Sequence, residues 1–264
     1  FRRFLQNKIA ILSLAIPGVI VAIVIAASIL VPLINALGIA SSGGTEAFSM
    51  TSGLVFAAVI AATDPIAVTA LFKSVGAPKR LAVLVEGESL LNDGTSAVFF
   101  TLIVGFASGE STTIAVASLG FLRVVGVGIF IGAVIGYAVS FIIHRVDDPM
   151  IEITLTTIAA YGSFVAAETF HYSGVMATVT AGMLSGNYAA RTGMSASTRV
   201  AVASFWEYLA FALNSLVFLL IGFEVRLEAL LHAWAPILAA YVTVTLTRAV
   251  VTLLIASALH RTRE

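Results

Sequence analysis

The sequence predicts an all-α polytopic membrane protein of about eight transmembrane helices, one of them broken at Thr63-Asp64-Pro65. Composition and pattern carry this reading. Of the 264 residues, 59% are hydrophobic and 11% charged, with a mean hydropathy of +1.06. Soluble domains are about 45–50% apolar and about 25% charged. Apolar runs of the roughly 20 residues needed to cross a hydrocarbon core of about 30 Å recur along the chain. They are continuous, whereas a β-barrel would show alternating segments of about 10 residues.

The spans are expected at 9–34, 50–72, 82–108, 117–143, 150–168, 173–188, 203–223 and 235–258, joined by brief connections carrying Gly, Ser, Pro or Asp. The first is too long for a cleavable signal and is followed by further helices. The second contains the Thr63-Asp64-Pro65 break, and the third holds a run of acidic and amide side chains. In the fourth, Arg123 is expected to snorkel outward. The fifth ends near Glu168, with His171 and Tyr172 just beyond, three residues read as interfacial. The sixth is short, and its Gly182 and Gly186 form a small-xxx-small pair that implies close helix packing. The seventh carries Phe205 and Trp206, which fit an aromatic belt. Its Asn214 and Ser215 are either glue between helices or part of an ion pathway. The eighth carries Arg248 near its centre.

Lysine and arginine orient the bundle. Arg2, Arg3, Lys8, Lys73, Lys79, Arg80, Arg145, Arg191, Arg199, Arg261 and Arg263 fall on one side, which is 11 of the 14 basic residues. Both ends are therefore expected in the cytoplasm, and the even number of spans agrees. Basic and acidic residues balance at 14 each, so there is no electrostatic footprint for nucleic acid. The absence of cysteine excludes disulfides, thiolate chemistry and cysteine-ligated metal.

Four charges stand where a membrane span disfavours them. A charge at the bilayer centre costs about 2.5–3.5 kcal/mol on insertion scales, so Asp64, Glu88, Asp93 and Arg248 must face the bundle interior or water. Pro65 removes a backbone hydrogen bond and clashes with the preceding turn. Thr63 or Asp64 followed by Pro65 is also a good start for a new helix. A span broken there presents bare carbonyls from one half and bare amides from the other, and broken helices at the midplane mark transporters. Asp64 offsets the partial positive charge of the second half-helix.

The second constellation is Glu86-Gly87-Glu88-Ser89-Leu90-Leu91-Asn92-Asp93-Gly94. Ser89, Asn92 and Asp93 share one helix face, and Glu88 lies one turn from Asn92. A carboxylate, an amide and a hydroxyl thus meet at mid-membrane depth, where hard monovalent cations find oxygen ligands. Desolvation favours the protonated form of Asp93, and a bound cation favours the ionised one. One carboxylate that holds a proton or a cation, but not both, is the minimum machinery of an antiporter. Glu86, nearer the expected cytoplasmic end, is read as a solvated or interfacial residue. Arg248 cannot shed its proton and needs a fixed anion. Glu88 is the expected partner, because that pairing leaves Asp93 free to exchange.

Thr63-Asp64-Pro65-Ile66-Ala67-Val68 and the Glu86–Gly94 block, with a 29-residue step from Asp64 to Asp93, resemble the sodium/proton exchangers. Glu168 with Ser173-Gly174-Val175, the segment from Asn214 to Gly222, and the membrane Arg248 are similar to later family segments. The resemblance implies an antiporter fold with inverted repeats, two crossing broken helices and a homodimer. It implies that Thr63 and Ser89 help Asp93 ligate Na⁺, with K⁺ or Li⁺ as alternative cargo, that Glu88 supports the site through Arg248, and that no cofactor is needed. Asn92 in place of a second Asp resembles the branch expected to exchange one cation for one proton electroneutrally, in a cell membrane and in the service of pH homeostasis. The family has about twelve or thirteen spans. Residues 1–264 are therefore expected to be a partial antiporter domain, without the early spans and the second broken helix. The competing readings are a truncated remnant that does not transport, an intramembrane aspartyl protease using Asp64 and Asp93 as a pair, and a channel. The contexts of the two aspartates do not match those of such a protease, and nothing repeats as a selectivity lining.

Overall fold

The computed structural model describes residues 7–38, 47–108, 114–189 and 193–261. Of the basic residues used to orient the bundle, Arg2, Arg3, Arg191 and Arg263 lie outside the described residues, as do the side chains of Lys73, Lys79 and Arg261. Regular structure among the described residues is helical. The elements are α1 (Lys8–Ala36), α2 (Met50–Ala61), α3 (Ile66–Ser74), α4 (Lys79–Ala107), α5 (Ile114–Ile143), α6 (Pro149–Thr169), α7 (Gly174–Leu184, continued by a π turn over Ser185–Ala189), α8 (Ala196–Glu224), α9 (Leu227–His232) and α10 (Trp234–Arg261).

Six of these, α1, α4, α5, α6, α8 and α10, are long and apolar enough to cross a membrane. The other two expected spans are built differently. Residues 50–72 form α2 and α3 with a break at 62–65, where Ala62 turns extended (φ −62°, ψ 138°). Pro65 lacks the amide that would continue α2, and its ring disfavours helical backbone just before it. Residues 173–188 form α7, whose 11 α-helical residues widen into the π turn. Pro17 in α1 also sits in a π turn, over Leu14–Gly18, where a wider helix tolerates a missing amide.

The chain divides into two compact units, residues 1–121 with 234–264, and residues 122–233. In the first, Val19, Ile23, Ala26 and Ala27 of α1 pack on Ala57, Ala58 and Ala61 of α2, with Phe99 and Ile103 of α4 against the cluster. Small residues allow this close approach. A Cβ on Gly53 would collide with Val31, and one on Gly18 would stand 2.9 Å from Ile255 of α10. The α1–α2 connection is drawn together by Asn35, whose amide nitrogen donates to the Phe48 carbonyl (3.0 Å) while its oxygen accepts the Phe48 amide (2.8 Å).

In the second unit α5 and α7 touch backbone to backbone. A Cβ on Gly128 would lie 2.6 Å from the Ser173 carbonyl oxygen and one on Gly136 2.8 Å from Ala181 Cα, while one on Gly132 would overlap the Ala177 carbonyl. The small-xxx-small stripe that packs helices is therefore Gly128-Gly132-Gly136. At Gly182 and Gly186 an added Cβ meets nothing within 4 Å, so the close packing expected there is not made among the described residues. Val139, Ile143, Ala159, Ala189 and Met194 form the apolar core, with Val202 of α8 against it. Glu152 on the inner face of α6 is fully buried, and neither carboxylate oxygen has a hydrogen-bond partner among the described residues. The α8 span buries none of its apolar window within the unit, as expected for a surface meant for lipid or for other helices.

Candidate functional site

The four charges expected inside spans all belong to the first unit, around the α2–α3 break. The last carbonyls of a helix have no partner of their own. Here the Asn92 side chain of α4 supplies one, donating to Ala61 O at 2.8 Å and to Thr63 Oγ1 at 3.1 Å. Its own Oδ1 accepts from Ser96 Oγ at 2.8 Å. Asn92 is completely buried and Ser89 is 2% exposed, so this amide is a fixed brace between α4 and the break.

Thr63 is the junction of the network. Its Oγ1 receives Asn92 Nδ2, receives Arg248 Nη2 at 3.2 Å, and lies 3.1 Å from Ser89 Oγ. A hydroxyl has two lone pairs and one proton. Asn92 and Arg248 occupy both lone pairs, so the Thr63 proton is donated to Ser89. In this arrangement the Thr63 hydroxyl ligates a cation only if one of its two donors lets go, whereas Ser89 keeps a lone pair. Arg248 Nη2 also donates to Glu88 Oε1 at 3.0 Å, an ion pair with side-chain exposures of 26% and 14%. Asn92 Nδ2 lies 3.5 Å from that same oxygen, too far to add much.

Asp93 differs from its neighbours. Among the described residues its carboxylate makes no hydrogen bond or ion pair, and it is exposed on α4. The charges of Asp64 and Glu88 both act on it. Asp64 is likewise exposed, at the break itself. Among the described residues no three His, Cys, Asp or Glu side chains are placed to hold a metal ion together. On α4, Asp93 stands one turn beyond Ser89, so the two share a helix face.

The structure brings Thr63, Glu88, Ser89, Asn92 and Arg248 into one hydrogen-bonded cluster and leaves Asp93 beside it. Sequence reasoning missed Ser96, although it stands one turn beyond Asn92 on the same helix face. It also missed Ala61, whose contribution is a backbone carbonyl. Of the weaker candidates in the second unit, Glu168 Oε1 accepts the Gly174 amide at 3.0 Å and ties the α6–α7 turn, in which His171 is left-handed (φ 59°). Tyr172 Oη accepts from Arg123 at 3.5 Å, and Ser215 Oγ donates to Phe211 O in its own helix at 2.8 Å.

Comparison with known proteins gives the same direction. The family model described as "Sodium/hydrogen exchanger, transmembrane" matches residues 1–264. The "Low-affinity Na(+)/H(+) antiporter NhaS1" of Synechocystis sp. is 44% identical over 209 residues, covering 79% of this chain and 39% of that protein. The "Na(+)/H(+) antiporter ApNhaP" of Aphanothece halophytica is 37% identical over 252 residues, covering 95% and 46%. The "Na(+)/H(+) antiporter NhaP" of Pseudomonas aeruginosa is 40% identical over 189 residues, covering 71% and 44%. The chain thus spans less than half the length of these curated relatives. The match over its whole length is decisive for kinship: the chain belongs to the sodium/hydrogen exchanger family of transmembrane proteins.

Proposed function

We propose that this chain is the cation-handling part of a secondary transporter that exchanges a monovalent cation, Na⁺ foremost, for H⁺. Cation and proton compete for Asp93 as the site faces the two sides of the membrane alternately. The observation that carries this reading is the division of labour at the break. Glu88 is committed to Arg248, and Asn92 and Thr63 are committed to each other and to the backbone. Of the carboxylates in the Glu86–Gly94 block, Glu86 is exposed near the start of α4 and Glu88 is paired, while Asp93 makes no hydrogen bond among the described residues and shares a helix face with the Ser89 hydroxyl. The three relatives compared above are named Na⁺/H⁺ antiporters, which supports sodium and protons as the exchanged pair.

In this reading Asp93 carries the ion or the proton, Ser89 supplies a hydroxyl ligand, and Thr63 joins once a donor releases it. Asp64 adds negative potential that draws the cation to the break. Asn92, Glu88 and Arg248 are positioning residues. One carboxylate that trades one proton for one monovalent cation leaves no net charge moved, so exchange is electroneutral. The protein works as a homodimer with both ends of this segment in the cytoplasm and serves pH homeostasis. The test takes the full reading frame that encodes this chain into proteoliposomes and follows internal pH after a Na⁺, K⁺ or Li⁺ gradient is imposed. The expected result is cation-driven proton flux that disappears in Asp93→Asn. Flux that survives this substitution removes Asp93 from the proposed role.

A further inference from the structure

The second unit contains a cavity of about 450 Å³ among α6, α7 and α8, walled mostly by Ala, Gly, Val, Met and Trp side chains. That volume lies within the roughly 300–1,000 Å³ typical of sites for small amphiphiles. Its floor is Gly182 and Gly186, where an added Cβ would enter open space. Three polar groups at its wall are already satisfied: Trp206 Nε1 donates to Thr156 Oγ1 at 3.1 Å, Thr156 Oγ1 to Ile153 O at 2.9 Å, and Thr178 Oγ1 to Ala160 O at 3.1 Å. Two are not. Ser185 is 5% exposed, and its buried hydroxyl has no partner among the described residues. Arg199 is exposed, and no carboxylate among the described residues pairs with it.

Arg199 is also oddly placed for its own helix. It lies in the first turn of α8, where the helix dipole disfavours a cation, and Ser195 Oγ already caps that end by accepting the Thr198 amide at 3.2 Å. The guanidinium is therefore unfavourably placed for α8 itself, yet it lines the cavity. An apolar slot among helices, with an arginine that no described carboxylate neutralises and an orphan hydroxyl in its wall, suits an anionic amphiphile. Basic pockets between transmembrane helices on the cytoplasmic side take anionic headgroups. We propose that this cavity is a binding site for an anionic phospholipid. Arg199 holds the phosphate, the Ser185 hydroxyl donates to an ester carbonyl, and an acyl chain lies over Gly182 and Gly186 against Trp206. This assignment stands apart from the ion-exchange reading, and its readout involves no transport.

The chain has two tryptophans, so Trp234→Phe leaves Trp206 as the reporter inside the cavity. The 264-residue chain is placed in nanodiscs of phosphatidylcholine doped with brominated phosphatidylglycerol or brominated phosphatidylcholine, and Trp206 fluorescence is measured. Half-maximal quenching is expected at about fivefold lower mole fraction of the anionic lipid, the preference one basic side chain gives at a membrane surface. Arg199→Gln, at an exposed position the fold does not need, removes the preference and keeps the weaker quenching. Gly186→Leu, at a position where an added Cβ meets nothing within 4 Å, extends a side chain into the cavity and reduces quenching by both lipids. Equal half-points in the unmodified chain, or a preference that persists in Arg199→Gln, would overturn the proposal. So would a Trp206 that neither lipid quenches, because protein would then occupy the cavity.

Discussion

Glu88 and Asp93 sit five residues apart on α4, and at about 100° per residue they point to different surroundings. Glu88 meets Arg248, while Asp93 makes no hydrogen bond among the described residues. The two carboxylates should therefore respond differently to mutation. Arg248→Gln strands Glu88 and is expected to lower stability by roughly 2 kcal/mol, less than the about 3–5 kcal/mol of a fully buried pair because both side chains keep some exposure. Arg248→Gln with Glu88→Gln should recover part of that loss, as read from thermal unfolding in detergent. Asp93→Asn removes no observed contact and should leave the unfolding temperature nearly unchanged. Glu152 offers the reverse case, a buried carboxylate without a hydrogen-bond partner among the described residues. Glu152→Met replaces it by an apolar group of similar size and should raise stability by about 1 kcal/mol.

At the scale of elements, the break and the glycine stripe dominate. Asn92 closes the end of α2 through Ala61 O and Thr63. Asn92→Ala orphans the Ala61 carbonyl, takes one of its two donors from Thr63 and removes the acceptor of Ser96, and is expected to cost about 2–3 kcal/mol. Gly132→Val drives a side chain into the backbone of Ala177, which cannot rotate away. That substitution should cost on the order of 2 kcal/mol or more, whereas Gly182→Ala should be tolerated. Parallel thermal melts decide the contrast, and equal losses at the two positions would contradict the packing described. The sequence made the break legible, because Pro65 follows the capping residues Thr63 and Asp64 and so favours a new helix start, and it exposed the pairing of Arg248 with Glu88, because a membrane guanidinium demands an anion. It did not distinguish Gly128-Gly132-Gly136 from Gly182-Gly186. Both carry the same spacing, and only the identity of the facing helix separates a contact from a cavity floor. Asn92 reads from sequence as a ligand, and its hydrogen bond to Ala61 O was not legible there because that acceptor is a backbone atom 31 residues away.

At the scale of the molecule, the exchange reading rests on competition. If Asp93 holds either a proton or a cation, lowering the pH fills the site with protons, and more Na⁺ is needed for the same rate. Protons and Na⁺ then act on one group, so a shift in one equilibrium moves the other by linkage. A regulatory group elsewhere would instead change the maximal rate and leave the Na⁺ requirement alone. The decisive measurement is the Na⁺ concentration for half-maximal proton flux in proteoliposomes as the pH is lowered stepwise. The account predicts a rise approaching about tenfold per pH unit, with the maximal rate recovered at saturating Na⁺. A half-maximal concentration that stays constant while the maximal rate falls would contradict it.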